Sequence, residues 1–316
     1  MTVFARRLLF VVGKGGVGRT TVAISLAIAA AQRGQRVGVL ELYANDQVAR
    51  RFSLGERSYA PRPIAPGVKT QSLTPLECLD DFGKQKLRVG ALVRVLFHNR
   101  VFRAFVDAVP GLHDVFQLGK INALATDPAP EDPQYDLIII DAPATGHGLT
   151  LLQAAGSMGE MVGRGLVAEE SVAIEELLHD PKRTGLVLVT LPDELPVNES
   201  MELLQGLDDR REQVVATVVN QVRDLSTPDA PPWDEVAAAL DSAGATALRQ
   251  AGEELLALQA RQNDALAKLD EELPRILGRP CPVLHQRRIE PHELSAKDLP
   301  DLAEQLLEGL DAWGAA

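Results

Sequence analysis

Cysteine is scarce in this chain: Cys78 and Cys281 lie far apart in 316 residues, with no CxxC. That excludes a disulfide framework and a four-cysteine zinc site, and it fits a reducing compartment. Long apolar runs are also lacking. The run Leu8–Val12 breaks at once into Gly13-Lys14-Gly15-Gly16, too short for a signal-peptide core or a membrane span. The expectation is a cytoplasmic protein with no stable membrane insertion. Basic charge is in deficit, with 32 Lys and Arg against 44 Asp and Glu for a net −12. Such a surface argues against nucleic acid and anionic lipid as partners. Methionine is rare, at four residues, so a flexible Met-rich groove is not supported. Apolar residues nonetheless make up 46% of the chain, enough to bury a sizeable core.

The apolar residues are arranged in short runs. Leu8–Val12, Val37–Leu40, Leu137–Ile140, Leu186–Leu191 and Val214–Val219 are near-continuous, as in strands buried on both faces of a parallel sheet. Helical patterns such as Thr20–Arg33 and Asn198–Arg211 alternate with them. The pattern reads as one α/β domain over residues 1–316, with a doubly wound, mostly parallel sheet. Two stretches, roughly 75–124 and 149–183, are helical in pattern and too long for ordinary connections. They are expected to form a helical subdomain at the edge of the sheet. Proline-rich loops fall at Ala125–Gln134 and Pro228–Pro232.

The run Gly13-Lys14-Gly15-Gly16-Val17-Gly18-Arg19-Thr20-Thr21 follows a strand and opens a helix. That is the setting of a phosphate-binding P-loop. The glycines let backbone N–H groups turn inward around a phosphate chain. The helix N-terminus adds its dipole and unpaired donors. Thr20 is placed to offer its hydroxyl to Mg²⁺. The usual lysine of GxxxxGK[ST] is Arg19 here, which keeps the charge but brings a longer, planar fork. Nucleotide binding is expected to survive the exchange and hydrolysis to weaken. A second motif, Tyr135 to His147, is a buried strand ending in Asp141. An acid at the carboxyl end of a parallel strand lies in the ligand crevice, where it can orient a Mg²⁺-bound water.

With Lys14 just after the first glycine, the loop resembles the deviant Walker A loop of the arsenite-pump (ArsA-type), tail-anchored-protein targeting (Get-pathway) and MinD/ParA ATPases. In that group the early lysine reaches across a dimer to the partner's phosphates. The resemblance therefore implies ATP or ADP as ligand, Mg²⁺, a dimer and a catalytic role for Lys14. Asp141-Ala142-Pro143-Ala144-Thr145-Gly146-His147 is similar to the D-x-A-P-T-G-H switch of the pump and targeting ATPases, with the Ala-Pro pair reversed. That segment senses the γ-phosphate, and it gives Asp141 a catalytic as well as a metal-binding role. The residues alone leave His147 open between a functional and a structural role. Val218-Val219-Asn220-Gln221 resembles the adenine-recognising turn, and the Asn220 amide can both donate to and accept from an adenine edge.

The resemblance breaks after the second strand. The relatives carry S-T-D-P-A-H, whose Asp activates the attacking water. This chain reads Glu41-Leu42-Tyr43-Ala44-Asn45-Asp46, which puts Leu42 or Tyr43 at the catalytic position. Neither is a base at neutral pH. Glu41 or Asp46 could stand in only by moving the loop. Clustered cysteines for a metalloid are absent, so metalloid pumping is not expected. The segment Lys84–Lys120 is basic, with Lys84, Lys86, Arg88, Arg94, Arg100, Arg103 and Lys120 against Asp107 and Asp114. Leu92, Val95, Leu96, Phe102, Phe105 and Val109 recur along it at roughly helical spacing. In targeting relatives such helices line a client groove, but the stripe fits a subdomain core equally well.

Three readings stay open. One is a slow, dimeric, Mg²⁺-dependent ATPase coupling a nucleotide switch to a protein client. The second is a degenerate nucleotide-binding subunit that regulates a related ATPase in a heterodimer. The third, a positioning ATPase on membrane or DNA, is disfavoured by the acidic segment Asp298–Glu308.

Overall fold

The computed structural model describes residues 3–43, 46–87, 104, 108–109, 111–126, 134–142, 151–152, 165–224, 231–289 and 294–315. Eight strands form one sheet: β1 (Leu8–Val12), β2 (Val37–Glu41), β3 (Arg62–Ala65), β4 (Val68–Ser72), β5 (Leu137–Asp141), β6 (Thr184–Thr190), β7 (Val214–Val222) and β8 (Val283–Arg287). Their order across the sheet is β3-β4-β2-β5-β1-β6-β7-β8. Every neighbouring pair is parallel except β3–β4. The five apolar runs read from the sequence all become strands. β3, β4 and β8 were not among them.

Because β side chains alternate between faces, each strand feeds two cores. Leu8, Phe10, Ile138, Ile140, Leu186 and Leu188 face one side; Leu9, Val11, Ile139, Val187 and Val189 face the other. Fully burying each such side chain contributes roughly 1.5–3 kcal/mol. The second face is covered by α1 (Arg19–Gln32) and α9 (Leu299–Ala315), which pack on each other. The alanine-rich run of α1 favours helix and lets it lie close to the strands. The first face carries α3 (Pro75–Leu87), α4 (Leu112–Ala125), α5 (Leu166–His179), α6 (Glu194–Gln205) and the carboxyl half of α8 (Thr246–Leu277). The short α2 (Gln47–Arg51) follows β2, and α7 (Trp233–Ser242) packs on the amino half of α8.

The described parts of the two expected helical stretches are α3, α4 and α5, together with Leu151 and Leu152. They share the core of the first face with β1 and β5, so they cover the sheet rather than border it. α6 begins four residues earlier than its pattern suggests. Asp193 caps it, accepting from Glu194 N at 2.9 Å, and Pro196 is tolerated because first-turn N–H groups have no partner within the helix. It ends at Gln205, and a 3₁₀ turn, Asp208–Gln213, takes up the rest. Among the described residues no helix is long and apolar enough to cross a membrane.

Candidate nucleotide site

The P-loop links the carboxyl end of β1 to α1, at the edge of the sheet where β2, β5 and β6 also end. Val17 is buried and anchors the loop in the core, while Gly15 and Gly16 are exposed. Two positions need glycine. At Gly13 a Cβ would lie 2.4 Å from the Val189 carbonyl oxygen. Gly18, at φ +88°, immediately precedes α1, and a Cβ there would meet the Asn220 amide at 2.1 Å. Left-handed backbone and close approach together require the residue without a side chain.

Thr20 and Asp141 meet across the base of the loop. Thr20 Oγ1 donates to Asp141 Oδ2 at 2.6 Å. Asp141 ends β5 and is 3% exposed. Burial pushes its carboxyl above the usual range, while the Thr20 hydroxyl and the Arg19 charge pull it back. Arg19 folds over its own loop and donates Nη1 to the Gly13 carbonyl at 3.0 Å. Burial lowers its pKa and the Asp141 charge opposes this. Thr21 is buried in the first turn of α1. A hydroxyl and a carboxylate this close form a hard-oxygen donor pair that suits Mg²⁺, while the adjoining helix N-terminus suits an anion. Among the described residues no group of three or more His, Cys, Asp or Glu could hold a metal ion without other donors.

Asn220, in β7, is 4% exposed. Its Nδ2 donates to the Val17 carbonyl at 2.9 Å, and its Oδ1 accepts from Gln221 N at 2.9 Å. It therefore clamps the P-loop, which the sequence did not reveal. Beyond it, Leu191, Pro192, Gln221, Arg223, Leu258 and Arg288 help line a cleft of about 180 Å³ at the carboxyl ends of β6–β8.

Lys14 lies 3.8 Å from Glu199 of α6, each about one-third exposed. This partner too was invisible in the sequence. Such a loose surface pair contributes only about 0–1 kcal/mol, so little holds Lys14 to its own chain.

Around the end of β2 the described side chains have different partners. Leu42 is 2% exposed, in the core. Tyr43 has φ +57° and donates its hydroxyl to Asp114 of α4. Asp46 pairs with Arg50 at 2.6 Å. Glu41 is 1% exposed, lies in register with Asp141, and accepts from Val48 N at 2.9 Å, so it caps α2. Burial pushes its carboxyl up to about 7; the Val48 N–H opposes this and the Asp141 charge adds to it. Residues Pro143–His147 lie outside the described residues, and so does most of the basic stripe from Arg88 to Phe105.

A family model described as anion-transporting ATPase matches residues 6–173, a span that holds the P-loop, Glu41 and Asp141. The chain belongs to the anion-transporting ATPase family. It is 30% identical over 232 residues to ATPase BagA of Mycobacterium tuberculosis, a match covering 68% of this chain and 65% of that protein. It is 28% identical over 199 residues to an arsenical pump-driving ATPase of Escherichia coli, covering 57% of this chain and 33% of that one. An ATPase ASNA1 homolog of Entamoeba histolytica is 22% identical over 253 residues, covering 68% and 76%. The match thus spans just under two thirds of the mycobacterial relative, and a third of the pump ATPase. Within this anion-transporting ATPase family member, Lys14, the glycines, Arg19, Thr20 and Thr21 form one continuous loop. Asp141 and Asn220 converge on it from β5 and β7.

Proposed function

We propose that the chain binds ATP or ADP with Mg²⁺ and uses the nucleotide as a switch, hydrolysing ATP slowly. The observation that carries this is the Thr20–Asp141 contact beneath the amino end of α1. Backbone N–H groups of residues 15–20 would wrap the β-phosphate, and the Arg19 guanidinium would leave the Gly13 carbonyl for the phosphate oxygens. Thr20 and Asp141 would hold Mg²⁺, which when bound neutralises charge on the β- and γ-phosphates. The adenine would lie toward the cleft beyond Asn220. Calorimetry tests this. ATP affinity is expected to fall roughly 10-fold or more in Arg19→Ala, through loss of a charge-assisted contact. Equal affinity would defeat the proposal.

The chain is further proposed to act as a dimer, with itself or with a related ATPase, in the cytoplasm. Lys14 would release Glu199 and reach the partner's nucleotide. Residues 75–124 and 149–183 are proposed as a helical subdomain that meets a protein client. Sedimentation with ATP is expected to show less dimer for Lys14→Ala. It should show as much or more for Glu199→Gln, which frees the lysine without removing it. A monomer–dimer balance unchanged in Lys14→Ala would leave Lys14 an ordinary surface lysine. The contacts of Leu42 and Tyr43 favour a second reading, in which the chain binds nucleotide as a regulatory subunit and leaves hydrolysis to its partner.

A further inference from the structure

β7 does not run regularly to its end. It pairs with β8 at Val219, opposite His285, and again at Val222, opposite Arg287, with a shift of register between the two. Asn220 and Gln221 occupy the shift. Gln221 has φ +59°, a left-handed conformation that is costly for a residue with a side chain and persists only where its surroundings hold it. Upstream, Asn220 accepts from Gln221 N and donates to the Val17 carbonyl. Downstream the hold comes from another element. Gln262 of α8 donates Nε2 to the Arg223 carbonyl at 2.8 Å and accepts from Arg223 N at 2.9 Å. A single amide thus satisfies both backbone groups of the residue after β7, as a neighbouring strand would. Gln262 is 4% exposed and heads the stripe Ala265, Leu269, Leu273 and Leu277 that buries the carboxyl half of α8. Helix packing alone would place an apolar residue there; an amide answers to the Arg223 backbone. Gln221, Arg223 and Gln262 all line the cleft of about 180 Å³ beyond Asn220.

We infer that Gln262 is a positioning residue for the nucleotide base. By clamping Arg223 it sets the Asn220–Gln221 turn, and with it one wall of the cleft, before the ligand arrives. A wall held in the bound geometry spares the ligand the cost of ordering it. The inference rests on the nucleotide reading above. The phosphate end of the site is held separately, by the Thr20–Asp141 contact and by the close approaches at Gly13 and Gly18, so the effect of Gln262 is confined to ligands that carry a base.

Titration calorimetry of the full chain with ADP and with pyrophosphate, each with Mg²⁺, tests this. Gln262→Met keeps the length of the side chain and removes both hydrogen bonds. It is expected to weaken ADP roughly 10-fold, through the backbone groups left unpaired, and to leave pyrophosphate unchanged. Gln262→Glu keeps the acceptor and loses the donor, and should also weaken ADP while sparing pyrophosphate. Leu269→Ala hollows the same helix packing and should lower the melting temperature without changing the ratio of the two affinities. A merely structural role for Gln262 would make all three variants alike. Gln262→Met and Gln262→Glu chains that bind ADP like the wild type, or that lose ADP and pyrophosphate equally, would overturn the inference and leave the nucleotide reading standing. A wild type that binds pyrophosphate as tightly as ADP would overturn it too, since no base contact would then need positioning. A wild type that binds neither would defeat the nucleotide reading, and this inference with it.

Discussion

Steady-state phosphate release from the purified chain is expected to run two to four orders of magnitude below an ordinary turnover of about 1 s⁻¹. The attacking water is normally held by a base or a water-orienting side chain, and the described residues at the end of β2 direct theirs elsewhere. Leu42 is in the core, Tyr43 is bonded to Asp114, and Glu41 caps α2. Arg19 brings a fork where the P-loop usually has an ammonium. Tyr43 is the position at which to restore activity. Its left-handed backbone suits Asp better than a bulky aromatic, whereas Leu42→Asp would bury an unpaired charge and destabilise the fold. Tyr43→Asp combined with Arg19→Lys is expected to raise the rate by at least about 10-fold. A wild-type rate near 1 s⁻¹, not improved by that pair, would mean that another acid does the work. If that acid is Glu41, the rate should climb as pH passes about 7 and collapse in Glu41→Gln.

Glu41→Gln should have a large effect on stability as well. The folded carboxyl titrates at about 7 against an ordinary 4.5. Between those values the folded chain holds a proton that the unfolded chain has released. Stability therefore falls as pH rises from about 4.5 to 7 and levels off above. The full penalty is on the order of 3 kcal/mol. Glutamine keeps an acceptor for Val48 N–H and never charges. The variant should be more stable than the wild type by on the order of 2–3 kcal/mol at pH 8, with the gain vanishing near pH 4.5. Urea unfolding at pH 4.5, 6 and 8 measures this. Equal stabilities at pH 8 would show that the carboxylate is compensated in place.

β1, β2, β5, β6 and β7 were legible because Val, Leu and Ile run together where both faces are buried. β4 was not, because its buried positions include Thr70, Gln71 and Ser72. Gln71 is held by hydrogen bonds to the Tyr59 carbonyl and the Tyr135 hydroxyl, and hydropathy does not register a polar residue satisfied in this way. β8 hides similarly, with Gln286 buried and donating to the Leu302 carbonyl. β3 is four residues long at the sheet edge, too short to show a period. In the site, glycine spacing and the acid ending β5 marked Gly13–Thr21 and Asp141. The contacts of Asn220 with Val17, Lys14 with Glu199 and Tyr43 with Asp114 join distant parts of the chain. Only the folded topology brings those pairs together.

The packing of α1 against α9 also constrains how the protein is made. α1 ends at Gln32 and α9 begins at Leu299. A ribosome adding about 5–20 residues per second needs roughly 15–50 s to travel between them. Through that interval the nascent helix lacks the neighbour that helps to bury it, although nearly all of Thr21–Ala30 is buried in the finished fold. The helix that opens from the phosphate loop is thus made well before the helix that encloses it. Until α9 emerges, the apolar face that it covers depends on the exit tunnel or a chaperone for shelter.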